Sequence, residues 1–316
     1  MLAPPNVALR PVEWPTVFVI GLTYLTWGLA TTVLWGVSPL LAVVITGLCI
    51  TQFSSLQHEV LHGHPFRSTM LNEAVVLPAL TLTVPYGRFR DTHLAHHYDP
   101  NLTDPYDDPE SNFVDPARWP GIIAPLRAVL RANNTLLGRM VLGPIVGNAS
   151  WLASEVRLIR AGNRCVIRDW GLHAVGLGLL VGWLWYAPMT GWAYLGATWI
   201  GHGVLKLRTF LEHRAHDHAR GRSVVVEDRG PLALLFLNNN YHSVHHSHPN
   251  VPWYKLPALF RANRDHFLRR NDGYYFASYA PIFRKFFLRQ KDPVAHPVWP
   301  VVRADLTDAP EGRHGA

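Results

Sequence analysis

From Trp14 to Gln57 the chain carries no Asp, Glu, Lys or Arg, a run of 44 residues. One bilayer crossing takes about 20 residues at roughly 1.5 Å per residue, so the run predicts two helices. Gly36-Val37-Ser38-Pro39 supplies the break between them, at about Thr16–Trp35 and Pro39–Gln57. A second uncharged run, Trp170–Leu205, divides at Ala187-Pro188-Met189-Thr190-Gly191 into helices near Trp170–Tyr186 and Trp192–Leu211. Two shorter apolar stretches, Ala74–Gly87 and Met140–Leu152, cannot span and read as interfacial or partly embedded helices. The pattern predicts an all-α integral membrane protein with four transmembrane helices in two hairpins.

The polar segments give this frame a direction. The tight turns around Val37 and Met189 lack Lys and Arg, whereas the long segments after the second and fourth helices hold nearly all of them. The positive-inside rule then puts both termini and both long segments in the cytoplasm, as a helical cap on the bundle. Met1–Pro15 has one basic residue, and no small-residue cleavage pattern follows the first apolar run, which reads as a span and not as a cleaved signal. Residues 1–302 form one membrane domain, and 303–316, polar with Pro and Gly, is expected to be a disordered tail.

Composition narrows the class. Charged residues are 16% of the chain against about 25% in soluble domains, which excludes a disordered or coiled-coil chain. Two cysteines, Cys49 and Cys165, cannot staple a secreted scaffold or ligate an iron–sulfur cluster. The net charge of +7 suits anionic headgroups; no zinc-finger or helix-turn-helix pattern supports nucleic acid as a partner.

The unusual count is histidine, 18 residues, and the polar segments concentrate it. His58-Glu59-Val60-Leu61-His62 ends the second helix. His93-Leu94-Ala95-His96-His97 and His242-Ser243-Val244-His245-His246 follow in the two long segments. On a helix, positions i, i+3 and i+4 share a face, so each cluster can aim two or three imidazoles at one point. Imidazole suits iron, copper and zinc, and eight His exceed what one tetrahedral ion takes, which points to two metals. A lone HxxxH is commonly a polar helix face; three clusters on one side of a membrane bundle are not explained that way.

The three clusters, their order and their place relative to two apolar hairpins resemble the membrane fatty acid desaturase superfamily over roughly Thr16–Leu268. Flanking words agree: His97-Tyr98-Asp99-Pro100-Asn101-Leu102-Thr103-Asp104-Pro105, and Leu237-Asn238-Asn239-Asn240-Tyr241-His242 leading to His248-Pro249-Asn250-Val251-Pro252-Trp253-Tyr254. The resemblance implies a non-haem di-iron centre that activates O₂. It also implies a ninth ligand from the end of the fourth helix, here His213 with His216 as the alternative. Some members of the family carry an Asn four residues before that His; Thr209 stands there, and Asn238, four before His242, is the substitute candidate. The implied activity is desaturation of lipid- or thioester-linked acyl chains. Hydroxylation or ketolation of a lipid, carotenoid or other amphiphile is the alternative on the same scaffold. Electrons would come from a ferredoxin- or cytochrome-type donor, and the membrane would be a bacterial inner membrane.

His58-Glu59-Val60-Leu61-His62 also fits HExxH, in which Glu59 would be the general base of a zinc protease, but that reading leaves two clusters unexplained. Glu59, Asp91 and Asp104 are candidate acceptors for the far imidazole nitrogens. The acidic run Asp104–Glu110 reads as a loop at the mouth of the metal site. His64, His218 and His248 read as polar loop residues, His173 and His202 as neutral hydrogen-bonded groups, and Lys206 and Arg208 as cations reaching the headgroups. His296 and His314, with no helical His partner, fall outside the site.

Overall fold

The computed structural model describes residues 12–99 and 101–299; the expected tail and His314 lie outside the described residues. Four long helices build the frame: α1 Trp14–Val37, α2 Pro39–Leu61, later Arg164–Tyr186 and Gly191–Glu212. Between the pairs come α3 Thr69–Ala74, α4 Tyr86–Tyr98, α5 Ala124–Asn133, α6 Leu136–Val141 and α7 Gly143–Arg160. The second pair is therefore α8 and α9. After it follow α10 Pro231–Leu235, α11 His242–Ser247, α12 Leu256–Ala262, α13 Arg264–Arg270 and α14 Tyr279–Phe286.

The long helices start and stop for local reasons. Ser38 is extended, and Pro39 opens α2 at a position where its missing N–H costs nothing. Asn163 caps α8 by accepting from the amides of Cys165 and Val166, and Thr190 caps α9 through Ala193. α1 loosens into a π turn at Ala30–Leu34, where the Thr31 hydroxyl donates to Trp27 O and accepts from Trp183 Nε1 of α8. The freed Thr31 carbonyl accepts from Met189, tying the two hairpin tips together.

α2 and α9 form the tightest pair. A Cβ on Gly201 would stand 2.6 Å from Gly47 O, and one on Gly47 would stand 2.8 Å from Ala197 O. Only glycine permits that approach, and Thr51 Oγ1 seals it by donating to Gly201 O at 2.8 Å. Small residues plus an interhelical hydroxyl bond are how helices pack where solvent exclusion drives nothing. This crossing fixes the end of α2 beside the end of α9.

Among the described residues three helices are long and apolar enough to cross a membrane: α1, α2 and α8. α9 has 22 residues but is not among them, so four spans are not established by length and composition.

The stretch Ala74–Gly87 departs from expectation. α3 ends at Ala74, and residues 75–85 are not helical, because Pro78 and Pro85 interrupt the pattern and Leu82 takes a positive φ of 64°. The surrounding helices satisfy its backbone: Tyr194 OH donates to Leu80 O, His173 Nε2 to Leu82 O, and Ala79 N donates to Gly176 O. Irregular backbone beside membrane helices survives only with such partners. His173 is thus a hydrogen-bonded group, as expected. Met140–Leu152 does fall in helices, α6 and α7.

Beyond α9 the chain folds onto the end of the bundle. Parallel pairing of Val225–Val226 with Tyr275–Phe276 holds two small cores together, one around Phe210, Phe236 and Ile282, the other around Tyr241, Val244 and Phe260. α11 is held between them and the end of α2.

Candidate metal centre

Four short pieces of backbone bring nine imidazoles together. His58 lies in the last turn of α2, and His62 caps that helix. α4 carries His93, His96 and His97; α11 carries His242, His245 and His246; His213 follows α9 on extended backbone. These are the nine candidate ligands read from the sequence, and they divide into two groups. His58, His62, His93, His97 and His245 have ring nitrogens within 4.8 Å of one another, as do His96, His213, His242 and His246. Each group draws on three segments, so neither exists until the chain has folded.

The nitrogens face one another. In the first group Nε2 of His97 lies 3.0 Å from that of His93 and 3.1 Å from that of His245. In the second, Nε2 of His213 lies 2.9 Å from that of His96 and 3.0 Å from that of His242. Nε2 of His58 and of His62 are buried with no hydrogen-bond partner. Carboxylates fix the proton on the opposite nitrogen at two rings: His93 Nδ1 donates to Glu110 at 2.8 Å, and His96 Nδ1 to Asp108 at 2.7 Å. Their Nε2 atoms therefore point lone pairs inward. Lone pairs about 3 Å apart repel unless a cation or proton lies between them, and imidazoles bound to one ion at roughly 2.0–2.1 Å stand about that far apart. The donor set fits two transition-metal ions, one per group.

For most of the rings electrostatics point the same way. Burial, then neighbouring imidazoles, pushes His97 down to about 3. The same two causes hold His213, His245 and His246 well below the ordinary histidine value, so these rings stay neutral with lone pairs free. His96 goes the other way: burial lowers it, but the Glu110 charge and the Asp108 hydrogen bond raise it to about 9. Burial likewise opposes ionisation of Glu110, and the neighbouring His93 and His96 rings overcome it, holding its carboxyl well below the usual range.

The three candidate acceptors go elsewhere. Glu59 accepts from Trp253 N at 2.9 Å and clusters with Glu13 and His64, so the residue that would be a protease base touches none of the nine imidazoles. Asp104 caps a turn through Tyr106 N and Asp107 N. Asp91 pairs with Arg90 and Arg88. Asn238 donates to Trp253 O, and its neighbour Asn239 meets His242 Nδ1 at 3.3 Å and donates to Glu212. The spacing of four fails because α11 begins at His242, and Leu237 and Asn238 form a left-handed turn before it. His216 lies with His218 and Asp272, apart from both groups. His248 packs against Phe267. The groups that do hold the rings, Asp108 and Glu110, sit in the acidic run; its density of carboxylates just after a His cluster was the available signal. Arg208 does not reach for headgroups either: it is buried, with Nε 2.9 Å from Glu212 Oε1.

The family model for fatty acid desaturases matches residues 34–279, and that stretch carries all nine imidazoles. The chain belongs to the fatty acid desaturase family. No curated protein sequence matches it. Membership makes the chain an oxidoreductase, a membrane oxidase of the desaturase and hydroxylase superfamily. The three apolar helices accord with the membrane setting.

Proposed function

We propose that this member of the family is an O₂-dependent di-iron oxidase that desaturates lipid- or thioester-linked fatty acyl chains. The observation that carries the reading is the pairing of nine inward-facing imidazoles into two groups. His58, His62, His93, His97 and His245 would hold one iron, and His96, His213, His242 and His246 the other. Two irons so held supply, with O₂ and two electrons, the oxidising power that removing hydrogen from an unactivated carbon demands.

The chain's own residues do the rest. Asp108 and Glu110 keep the Nδ1 protons of His96 and His93 in place, so that Nε2 is the ligating atom. Burial of His58, His93, His96, His242 and His245 keeps water from the reacting carbon. Desaturation consumes O₂, two electrons and two protons and releases two waters. Hydroxylation or ketolation of another amphiphile would start from the same centre, with oxygen retained. With two cysteines and no iron–sulfur ligand set, the chain takes its electrons from a ferredoxin- or cytochrome-type partner.

α9 serves as the fourth span in this reading, and the metal groups, both termini and the basic segments face the cytoplasm of a bacterial inner membrane. A reporter fused at the C-terminus should read cytoplasmic; an external signal would overturn this topology.

Purified protein should contain two irons per chain. Lipids of cells expressing it should show loss of two mass units. One zinc and no iron would sink the oxidase reading; a gain of sixteen mass units would replace desaturation by hydroxylation.

A further inference from the structure

A further cluster of ligating side chains lies apart from the nine imidazoles. Glu13 immediately precedes α1, Glu59 is in the last turn of α2, and His64 follows that helix in a loop. One donor atom from each lies within 4.8 Å of the others. The backbone holds the segments together: Glu13 N donates to Pro65 O at 3.1 Å, and Val12 and Phe66 pair as an antiparallel bridge. Like the histidine groups, this cluster exists only once the chain has folded.

Hydrogen bonding accounts for part of it. His64 Nδ1 donates to Glu13 Oε1 at 2.8 Å, and Glu59 Oε1 accepts from Trp253 N at 2.9 Å. Glu13 Oε2 and His64 Nε2 stay buried with no hydrogen-bond partner, and His64 is only 5% exposed. An imidazolium held between two carboxylates would use both ring nitrogens, and here one is idle. Among the described residues the only ion-pair partner of either carboxylate is His64 itself. Lys255 is within electrostatic reach of His64 but pairs with neither carboxylate, and its ammonium sits over the Tyr254 ring at 5.8 Å. With His64 protonated the cluster would still carry a net negative charge and an N–H without an acceptor; with His64 neutral it would carry two negative charges. Buried charge of that kind is costly. A dication balances both carboxylates and gives the idle Glu13 oxygen a partner.

We propose that Glu13, Glu59 and His64 hold one divalent transition-metal ion, a third metal site apart from the two histidine groups. The ion would replace the proton between His64 Nδ1 and Glu13 Oε1. Nitrogen and oxygen ligands at roughly 2.0–2.2 Å from one zinc ion stand about 3 Å apart, which suits the 2.8 Å seen here. Glu13 through both oxygens, with Glu59 and His64, supplies the tetrahedral donor set of a structural zinc ion. Nitrogen and oxygen donors without sulfur suit zinc, manganese or iron(II) and not copper(I). The Trp253 amide orients the Glu59 carboxylate from behind. So placed, the ion fastens the start of α1 to the end of α2, just beyond His62.

Zinc(II) is the probe, and the test is equilibrium binding. Full-length protein in detergent, loaded with iron and stripped of loose metal, should bind one further equivalent of zinc in competition with a fluorescent zinc indicator. Glu13→Gln keeps the size of the side chain and an oxygen for His64; it should weaken that binding at least about tenfold with iron content unchanged. Zinc-edge X-ray absorption should show nitrogen and oxygen scatterers that include a single imidazole. Zinc should also raise the melting temperature of wild type and not that of Glu13→Gln. If Glu13→Gln fails to fold, the wild-type stoichiometry and spectrum decide alone. No further equivalent bound, wild-type affinity in Glu13→Gln, or a spectrum with three or more imidazoles overturns the proposal, the last because the zinc would then lie in a histidine group. The oxidase reading fails separately, as protein that takes up no iron.

Discussion

The two histidine groups use the same ligand chemistry but are mounted differently. In the five-membered group, His58 and His62 come from the end of α2, His93 and His97 sit one turn apart on α4, and His245 comes from α11. Among its described members only His93 has a carboxylate within ion-pair distance. Helix geometry does the positioning. In the four-membered group, His213 lies on extended backbone, and three of four rings rest on side-chain oxygens: His96 on Asp108, His213 on Ser223 and His242 on Asn239. The first group is set by secondary structure, the second by a network of neighbours. The network group should therefore be the more sensitive to changes that touch no imidazole.

Direct ligands should show no such asymmetry, and they set the largest effect. His62→Ala and His242→Ala should each lower turnover by more than about 100-fold, since even partners behind a ligand cost about 10–100-fold. The neighbouring ligands are held by their backbone segments and cannot move several ångströms to replace a lost ring. Membrane assays with an added electron-donor system, at matched expression, measure this. His266→Ala, on the exposed face of α13, should leave turnover unchanged. His296, expected from the sequence to be uninvolved, is no such control: it is buried, bonds Thr103 Oγ1 at 3.0 Å, and braces the loop that carries Asp108. Near-normal turnover in either ligand variant would end the two-group description.

That contrast also explains what the sequence could show. Spacing of three and four residues is an internal property of a helix, so His93/His97 and His242/His246 were legible as facing pairs before any fold was known. His213 was legible only through family resemblance, because its position depends on where α9 stops. The network was not legible. Asp108 and Glu110 appeared only as an acidic loop, and which carboxylate meets which ring depends on the turns at Asp104 and Asp108 that fold the loop back. Asn238 is a candidate only by counting helically through a segment that is not helical. Lys206 and Arg208 read as headgroup cations since a sequence does not show that Glu212 turns back to one and a cavity opens beside the other.

Asp108→Asn is the next effect in size. Asp108 is buried and accepts from His96 Nδ1, Thr103 N and Glu110 N, so an amide there leaves the imidazole and the loop competing for one oxygen. A loss of about 10–100-fold in turnover is expected, with iron falling toward one per chain. Glu110→Gln should cost less, because Glu110 is partly exposed and water can accept from His93 in its place. Equal iron loss in the two variants would remove the distinction between helix-mounted and network-mounted groups.

Ser223→Ala should give the smallest measurable effect, and it bears on how far the network extends. Ser223 Oγ meets His213 Nδ1 at 3.3 Å, a long contact between neutral groups. The backbone around His213 is held without that hydroxyl. His213 and Ser223 pair as an antiparallel bridge, Arg214 N donates to Arg222 O, Val224 N donates to Glu212 O, and Lys291 donates to the His213 carbonyl. Removing the hydroxyl therefore frees rotation of the ring but not the position of its Cα. A neutral hydrogen bond contributes about 0.5–1.5 kcal/mol, or roughly a 2- to 10-fold change. The measurement is iron retention during timed chelator challenge, in which Ser223→Ala should lose iron a few-fold faster than wild type and more slowly than Asp108→Asn. If it lost iron as fast as Asp108→Asn, the side-chain bond would outrank the backbone, and His213 would depend on the network as fully as His96. If it matched wild type, His213 would belong with the ligands placed by backbone alone, and the network would shrink to the rings held by Asp108 and Asn239.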